Sequence, residues 1–429
     1  MHFGKKAPEG GVFIRDSGFF DARLDATHPA GDVADFLDVP LPFGHARMKQ
    51  HPKGCMFDAD IFASLFYLAN RIDELSTLPR DGHARLHASA SFMGARGALE
   101  LPAAEIWAAA VAREVARLYP SIEAKPRWGE AQFAVCITHD IETLTPINRL
   151  GYMKGRLLAA GKHLCHARAG HAACAICSGI WRLLTGSAPS WSFRELRAGE
   201  GAAPGTYFFF GMPTSALDGS YDVTSEPVRA LIRSLTADRC EIGVHLGYES
   251  GCDSALMARA KSRVEAACQE KVRGARHHYL RADFPHCWRA HEKAGFEYEG
   301  SLGFAEQAGF RGGSALPYRP FDVKSARLLS PYAVPLVAMD GTFFHYMGLS
   351  GRQTVRQVLL LAETVRSAGG VFTLLWHNTM ADGWDKPAQA RAYRDICTGL
   401  REMGGTWMSA GDCVAAWRDY ERSLEVSSG

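Results

Sequence analysis

The chain has 429 residues, of which 47% are hydrophobic and 22% are charged, and its formal net charge is +2. This length predicts two domains, or one barrel with an addition, and the composition is ordinary for a folded globular protein. So small a net charge, without a Lys/Arg-rich arm or zinc-finger spacing, argues against nucleic acid as a partner.

Cysteine usage and the amino-terminal residues predict a cytoplasmic protein. The 11 cysteines are an odd number without the spacing of a disulfide framework, which favours a reducing compartment. The first residues include lysines but no apolar core or small-residue cleavage site of the kind found in signal peptides. No uninterrupted apolar run reaches the roughly 18 residues that predict a membrane-spanning helix.

Residues 1–128 are predicted to form a smaller α/β domain. Its first part is rich in Gly, Pro, Asp and His and is typical of strands and loops. Apolar residues at helical spacing predict helices over 57–75 and 102–118. Either Asp58 or Asp60 is expected to cap the first helix, and a proline begins the second.

The rest of the chain, residues 129–429, alternates between apolar runs typical of buried strands and segments with helical spacing. The predicted strands are a run that begins at Phe133, 206–210, 241–245 and 371–376, and the predicted helices are 225–237, 255–271 and 354–367. Such alternation argues for parallel strands joined by crossover helices. A barrel is favoured over an open sheet because the candidate site residues follow several separated strands.

A basic helical insertion is predicted at about 146–200. Between Glu142 and Glu195 the chain has no acidic residue, whereas basic and apolar residues are interleaved. The basic residues are Arg149, Lys154, Arg156, Lys162, Arg168, Arg182 and Arg194. One interpretation is a helical pair that covers the barrel and has a solvated basic face. The other is a platform for an anionic partner, either a phosphate-linked sugar or a membrane surface.

Polar side chains stand at the ends of the predicted buried strands. Asp140 and Glu142 are two residues apart in an extended segment, so both carboxylates project to the same side. His245, Arg276 and His377 belong to three further strand ends. The carboxyl ends of parallel strands carry the active site in α/β barrels, and two carboxylates with two histidines suit a metal-assisted hydrolase. Each residue alone is as readily structural as functional, but the combination is more specific.

These residue types suggest a division of roles. One carboxylate of the pair can bind a cation while the other stays free as a base towards water. The guanidinium of Arg276 can hold a catalytic carboxylate in place, and His377 suits a general acid for a leaving amine. Asp340 could orient His377, although an Asp-Gly pair is more typical of a turn.

Four motifs at these positions resemble those of a known family. They are THDIE at 138–142, EIGVHLGYES at 241–250, RHHYLR at 276–281 and LLWHN at 374–378. They resemble motifs one, two, three and five of the polysaccharide deacetylases, the NodB-homology group of carbohydrate esterase family 4. Residues 57–116 and 299–314 are similar to an uncharacterised preceding domain and a GFR-containing stretch found in one branch of that family.

The resemblance implies a distorted (β/α)7-type barrel that removes an N-acetyl group from an amino sugar with a divalent metal, usually zinc. By position, Asp140 corresponds to the catalytic base and Arg276 to its partner. His245 corresponds to a metal ligand, and His377 to the general acid.

Two positions depart from the family pattern and leave the metal ligands open. Ile141 stands where a second aspartate is usual, and Glu142 is the candidate to replace it. Glu249 stands where the second motif usually has another histidine, and His278 stands where the third motif usually has proline. Both are candidates for the third ligand. A site with two acids and one histidine would favour a harder ion than zinc, or weak binding.

We therefore expect a metal-dependent carbohydrate N-deacetylase acting in the cytoplasm. Its substrate would be a nucleotide- or lipid-linked precursor of a cell-surface polysaccharide, and the basic insertion would contact that substrate or the membrane periphery. Two alternatives stay open. One is hydrolysis of a small non-sugar amide on the same barrel. The other is a metal-free, inactive barrel that binds glycan or a biosynthetic partner.

Overall fold

A computed structural model gives the positions of residues 1–5, 10–20, 33–75, 78–144, 149–165, 169–185, 188–219 and 221–426. The amino-terminal domain contains the strands β1 (His2–Gly4), β2 (Gly11–Arg15), β3 (Ala34–Phe36), β4 (Val39–Leu41), β5 (Gly44–His51) and β6 (Gly54–Ala59), and the helices α1 (Ile61–Ala69) and α2 (Ala103–Leu118). Its main sheet has the order β1-β2-β6-β5, in which only β5 is antiparallel to its neighbour. Trp107 of α2 is completely buried in the core of this domain.

The helix predicted over 57–75 begins later than expected. Phe57 belongs to β6, and α1 starts at Ile61 with Asp60 as its N-cap. The Asp60 carboxylate accepts the backbone N–H of Ala63 at 3.0 Å, which satisfies one of the free donors of the first turn. Strand structure prevails at Phe57 because β6 lies between β2 and β5 and is paired with both.

The second part of the chain is built on a parallel sheet. Its strands are β7 (Ala134–Ile141), β8 (Thr206–Phe210), β9 (Glu241–Leu246), β10 (Gly274–His277), β11 (Tyr298–Leu302), β14 (Tyr332–Pro335), β15 (Ala338–Met339), β16 (Val371–Leu375) and β17 (Thr406–Trp407). The order is β14-β11-β10-β9-β8-β7-β16-β15, with β17 paired to β7, and all of these pairs are parallel. A separate antiparallel hairpin consists of β12 (Phe321–Asp322) and β13 (Arg327–Leu328).

One continuous segment closes this sheet into a barrel. β14 pairs with β11, and after Leu336 and Val337 the same segment continues as β15 and pairs with β16. Because β11 and β16 would otherwise be open edges, the segment joins them and completes a ring of seven strands. The predicted distorted (β/α)7-type barrel with a smaller amino-terminal α/β domain is therefore confirmed.

Helices connect and follow the strands of the barrel. They are α3 (Arg149–Cys165), α4 (Ala169–Thr185), α5 (Phe193–Glu200), α6 (Glu226–Ala237), α7 (Ser254–Cys268), α8 (His286–Lys293), α9 (Gly351–Ala368), α10 (Pro387–Glu402) and α11 (Ala410–Val426). The segment predicted as a basic insertion contains α3, α4 and α5, and its residues 146–148, 166–168 and 186–187 lie outside the described part. Within the described residues, no helix is long and apolar enough to cross a membrane.

One disulfide joins Cys252 and Cys287, which the scattered cysteine spacing did not predict. Cys252 follows β9 and Cys287 lies in α8 after β10, so two neighbouring loops bring their Cα atoms to 4.6 Å. Disulfides are rare in reducing compartments, so this pair does not support the compartment predicted from cysteine usage.

A buried ion-pair network joins the amino-terminal domain to the barrel. The Glu74 carboxylate accepts Arg71 Nε at 2.7 Å, and Arg311 Nε and Nη2 at 2.9 and 2.6 Å. Arg71 also pairs with Asp73 at 2.9 Å, and all four side chains are buried. Burial favours the protonated form of Glu74, but the guanidiniums of Arg311 and Arg71 more than offset it and lower the pKa of Glu74.

The stretch 299–314 also contacts this domain. The Glu105 carboxylate of α2 accepts the Ser314 hydroxyl at 2.6 Å, and the Phe310 N–H donates to the Leu99 carbonyl at 2.7 Å. Because Arg311 belongs to the same stretch, its role in the structure is to hold the two domains together. The boundary predicted near residue 128 falls between α2 and β7 and stays a prediction.

Replacing Glu74 with Gln is expected to destabilise the protein strongly. The substitution leaves two buried guanidiniums with a neutral acceptor, which costs about 3–5 kcal/mol in free energy of unfolding. Urea denaturation followed by circular dichroism measures the change. The control is Glu363→Gln, because Glu363 pairs with Arg366 on the surface, with side chains 46% and 34% exposed. Its expected effect is below about 1 kcal/mol, and equal effects of the two substitutions would contradict a joining role for Glu74.

Candidate active site

The carboxyl ends of four barrel strands meet at one cleft. Asp140 lies near the end of β7 and Glu142 directly follows it; His245 lies in β9, and His278 and His377 follow β10 and β16. The cleft has a volume of about 270 Å³, and Asp140, Glu142 and His377 are among the residues that line it. Residues separated by more than 200 positions in the chain are thus neighbours here.

Glu142, His245 and His278 form a group that can hold a metal ion. One ligand atom of each residue lies within 4.8 Å of the ligand atoms of the other two. One carboxylate with two imidazoles is a donor set that zinc and other transition-metal ions accept. The sequence also allowed a site with two acids and one histidine, which would favour a harder ion. This group has one acid and two histidines instead.

His245 is prepared to bind a cation through Nε2. Its Nδ1 donates to the backbone carbonyl of Arg276 at 3.1 Å, which fixes the neutral tautomer with a lone pair on Nε2. That Nε2 is buried, and among the described residues it has no hydrogen-bond partner. Burial lowers the pKa of His245 to about 4, so the ring is neutral near pH 7. An orphaned, neutral imidazole nitrogen beside a carboxylate fits a metal ligand.

His278 is oriented by a carboxylate that the sequence did not reveal. Its Nδ1 donates to Asp218 at 2.8 Å, and its Nε2 lies 3.3 Å from Glu142 Oε1. Asp218 is itself held by the backbone N–H groups of Thr214 and Tyr248, at 2.7 and 2.8 Å. A histidine that binds a metal usually donates its other ring N–H to a carboxylate or carbonyl in this way. Asp218 follows β8 in irregular chain, and no motif spacing pointed to it.

The protonation of His278 reflects these two carboxylates. Burial alone would lower the pKa of His278, but the hydrogen bonds to Asp218 and Glu142 raise it above the ordinary value. At a pH below that raised pKa, a cation that binds Nε2 displaces a proton from this ring.

Glu249 does not belong to the group. Its side chain is 56% exposed, and its carboxylate lies 3.6 Å from the guanidinium of Arg281. Its backbone N–H, rather than its side chain, takes part in the site by donating to the hydroxyl of Thr214 at 2.9 Å. Of the two candidates for a third ligand, only His278 is placed beside Glu142 and His245.

Asp140 and Arg276 form a buried pair. Arg276 Nη1 lies 3.6 Å from Asp140 Oδ1, and its Nη2 donates to the Thr138 hydroxyl at 3.2 Å. The guanidinium also lies 5.0 Å from the centroid of the Phe208 ring. Asp140 Oδ1 is buried without a hydrogen-bond partner among the described residues, so one lone pair is available for a proton.

His377 is held by Asp340. The His377 Nδ1 and backbone N–H both donate to the Asp340 carboxylate at 2.7 Å, and Nε2 lies 3.4 Å from Glu142. Burial opposes the charged ring, but Asp340 and Glu142 outweigh it and raise the pKa of His377 well above its usual value. The pKa of Glu142 is held well below its ordinary value, since His377 and His278 overcome the effect of burial. Asp340 thus orients His377, the role that the sequence suggested beside a turn.

The amino-terminal domain reaches this cleft through Arg85. Tyr279 and Leu280, which follow His278, both have left-handed backbone conformations, with φ of 59° and 54°. Such conformations of bulky residues cost on the order of 1–3 kcal/mol and persist only when their surroundings enforce them. Arg85 Nη1 donates to the Tyr279 carbonyl at 2.9 Å, and Asp81 holds Arg85 at 2.8 Å. The domain therefore supports the turn that carries His278.

A comparison with known families finds one match, in the amino-terminal part of the chain. Residues 1–120 match a family described as a family of unknown function (DUF7033). This is where the sequence resembled an uncharacterised domain preceding the deacetylase module. A comparison with curated proteins finds no significant match.

Among solved structures, the chain is similar to a probable polysaccharide deacetylase from Pseudomonas aeruginosa PAO1, with 16% identity and a TM-score of 0.44 over 70% of this chain and 96% of that one. It is similar to the Puue allantoinase, with 14% identity and a TM-score of 0.46 over 70% and 95% of the two chains. A family 4 acetyl xylan esterase from Clostridium thermocellum, in complex with a cobalt ion, matches with 11% identity and a TM-score of 0.31 over 66% and 90%. At such identities and TM-scores, these similarities do not by themselves assign an activity.

Elemental analysis after zinc reconstitution and desalting is expected to find about one metal per chain. His245→Ala and His278→Ala should lose it, because each removes one of three ligands. Glu249→Ala is the matched control and should retain it, since that carboxylate lies outside the group. Apparent affinity should rise with pH through the raised pKa of His278, because the proton competes with the metal for that ring. Metal retained in a folded His278→Ala protein would contradict this ligand set.

Proposed function

We propose that this protein is a metal-dependent N-deacetylase that acts on an N-acetylated amino sugar. One observation carries the proposal: a three-residue group suited to a metal lies beside an acid and a histidine that is held by a carboxylate. The metal group is Glu142, His245 and His278, and the flanking residues are Asp140 and His377. This combination suits amide hydrolysis, in which the attacking water must lose a proton and the departing amine must gain one.

A divalent ion, for which zinc suits the donors, would polarise the acetamide carbonyl and lower the pKa of a water molecule. Asp140 accepts the proton of the attacking water through its free Oδ1, and Arg276 fixes the position of that carboxylate. His377 donates a proton to the nitrogen as the C–N bond breaks, since Asp340 keeps the ring protonated. The products are acetate and a free amino sugar.

The lining of the cleft supports a substrate with a negatively charged group. Lys386 lines the cleft, and its ammonium group lies 3.0 Å from the sulfur of Met380, which is a weak acceptor. Tyr279 and Tyr346 offer ring faces on the same cleft, which suit a sugar. We propose a nucleotide- or lipid-linked precursor of a cell-surface polysaccharide as the substrate. The cytoplasmic location expected from the sequence stays a prediction, which the Cys252–Cys287 disulfide does not favour.

Two alternatives lead to different results. Hydrolysis of a small non-sugar amide would use the same residues, and only a substrate panel separates it from the first proposal. An inactive, glycan-binding barrel was favoured by the altered residues at motif positions 141 and 249. Against that alternative, Glu142 and His278 offer ligand atoms close to His245 from other positions.

Asp140→Asn and His377→Gln are expected to reduce acetate release from N-acetylated amino sugars by about 10²–10⁴-fold each, the usual contribution of a general base or acid. Asp140→Asn should leave the metal content unchanged, because Asp140 lies outside the ligand group. Acetate release is measured by a coupled assay on a panel that includes small amides. Full activity of either folded variant would refute the assigned roles, and release only from small amides would favour the first alternative.

The pH dependence tests the pairing of Asp340 with His377. A general acid must be protonated, so the rate should fall as the pH rises through the raised pKa of His377. Asp340→Asn removes the largest influence that raises this pKa, so the descending limb should move to lower pH. The measurement is kcat against pH for both proteins. An unchanged descending limb in the variant would show that another group supplies the proton.

A further inference from the structure

The α3–α4 hairpin has an outer surface of large apolar side chains that contact water. Their exposures range from 45% for Ile180 and Trp181 to 76% for Leu150. The residues are Leu150, Leu157, Leu158 and Leu164 of α3, and Ile180, Trp181 and Leu184 of α4. We call this set the hairpin surface. Single exposed leucines are common on protein surfaces. A cluster of them on one helical hairpin indicates a surface that contacts another molecule.

The spacing of these residues places them on defined helix faces. Leu150, Leu157 and Leu164 are seven residues apart, so they form one stripe along α3. Ile180 and Leu184 are four residues apart on α4 and share a face in the same way. The helices pack together through small residues instead, including the buried Ala160, Ala172 and Ala175. The apolar stripes are therefore not what holds the hairpin together.

The charges of the hairpin are of one sign. Lys154 and Lys162 are exposed on α3, and the sequence from 143 to 194 contains no acidic residue. By helical spacing Lys154 falls on the same face as Leu150 and Leu158. Amphipathic helices with leucines and tryptophan on one face and lysines beside them bind the surface of anionic bilayers. The lysines meet lipid phosphates, and the apolar side chains enter the boundary of the acyl chains.

We propose that the hairpin surface binds the surface of a bilayer that contains anionic phospholipid. A second copy of this chain fits less well. A two-fold dimer would bring the same patch of each copy together, so the two Lys154 side chains would face each other, and the sequence from 143 to 194 supplies no acid to oppose them. A bilayer supplies both an apolar phase and the opposite charge. This inference does not depend on the deacetylase chemistry proposed above.

The hairpin is anchored to the rim of the cleft. Arg182 forms a buried ion pair with Asp382, and the Tyr152 hydroxyl donates to Asp385 at 2.5 Å. Trp181 stacks with Trp384 at 6.0 Å between ring centroids. These three partners precede Lys386, which lines the cleft, and follow His377 by only a few residues. A bilayer bound to the hairpin surface would therefore lie beside the cleft, where a sugar on a lipid headgroup could reach it.

Flotation of the full-length protein with vesicles tests the proposal. Vesicles of phosphatidylcholine mixed with phosphatidylglycerol are compared with vesicles of phosphatidylcholine alone. The wild-type protein should float with the anionic vesicles. Leu157→Glu/Leu164→Glu should reduce binding by at least about tenfold, because two large apolar side chains are replaced by carboxylates with the same sign of charge as the lipid. Leu360→Glu is the matched control, since Leu360 is a 52% exposed helical leucine far from α3 in the chain. It should float like the wild type.

Several outcomes would overturn the proposal. They are a wild-type protein that floats with neither vesicle, a double variant that floats like the wild type, and a control that fails equally. Size-exclusion chromatography provides a further test: a wild-type dimer that becomes monomeric in the double variant, without vesicle binding, would assign the surface to self-association. Lys154→Glu should weaken the preference for anionic vesicles, and an unchanged preference would also contradict the proposal.

Discussion

The Glu74 carboxylate, held between the guanidiniums of Arg71 and Arg311, is the interaction on which the geometry of the cleft depends. A buried charge must keep its partners, so the two domains have one relative position in which all three groups are satisfied. That position places Arg85 against the Tyr279 carbonyl, and so supports the left-handed turn after His278. The amino-terminal domain, which has no catalytic motif of its own, is thereby part of the site.

The same hydrogen-bonding arrangement holds three histidines of the site. Each histidine has its Nδ1 fixed by an acceptor, which leaves Nε2 for chemistry: the carbonyl of Arg276 for His245, Asp218 for His278, and Asp340 for His377. The acceptors differ in charge, and protonation follows. A neutral carbonyl and deep burial leave His245 unprotonated, whereas carboxylates raise the pKa values of the other two rings. Similar side chains thus obtain different roles from their surroundings.

The sequence predicted the parts of this site that strand periodicity determines. Asp140, His245 and His377 were expected to lie close together because the carboxyl ends of parallel strands converge. In the structure His245 lies 3.9 Å from Asp140, and Asp140 and His377 line the same cleft. Strand periodicity could not decide whether Glu249 or His278 is the third candidate ligand. That depends on backbone conformations after β9 and β10, which residue spacing does not encode. Long-range pairing likewise decided other positions: the strand pairing around Phe57 overrode helical spacing, and Asp218 reached His278 from an irregular loop. The barrel itself was predictable, since alternating apolar runs and amphipathic helices have few other solutions.

The segment that closes the barrel also imposes an order on biosynthesis. Chains emerge from the ribosome amino terminus first, so Glu142, His245 and His278 are all made before β14 pairs with β11. β15 has no partner until β16 has been synthesised, and only then can Asp340 receive His377. A nascent chain can therefore bring Glu142, His245 and His278 together while the ring is still open. His377, the proposed proton donor, is added by the final closure, so a chain that stalls before β16 lacks it.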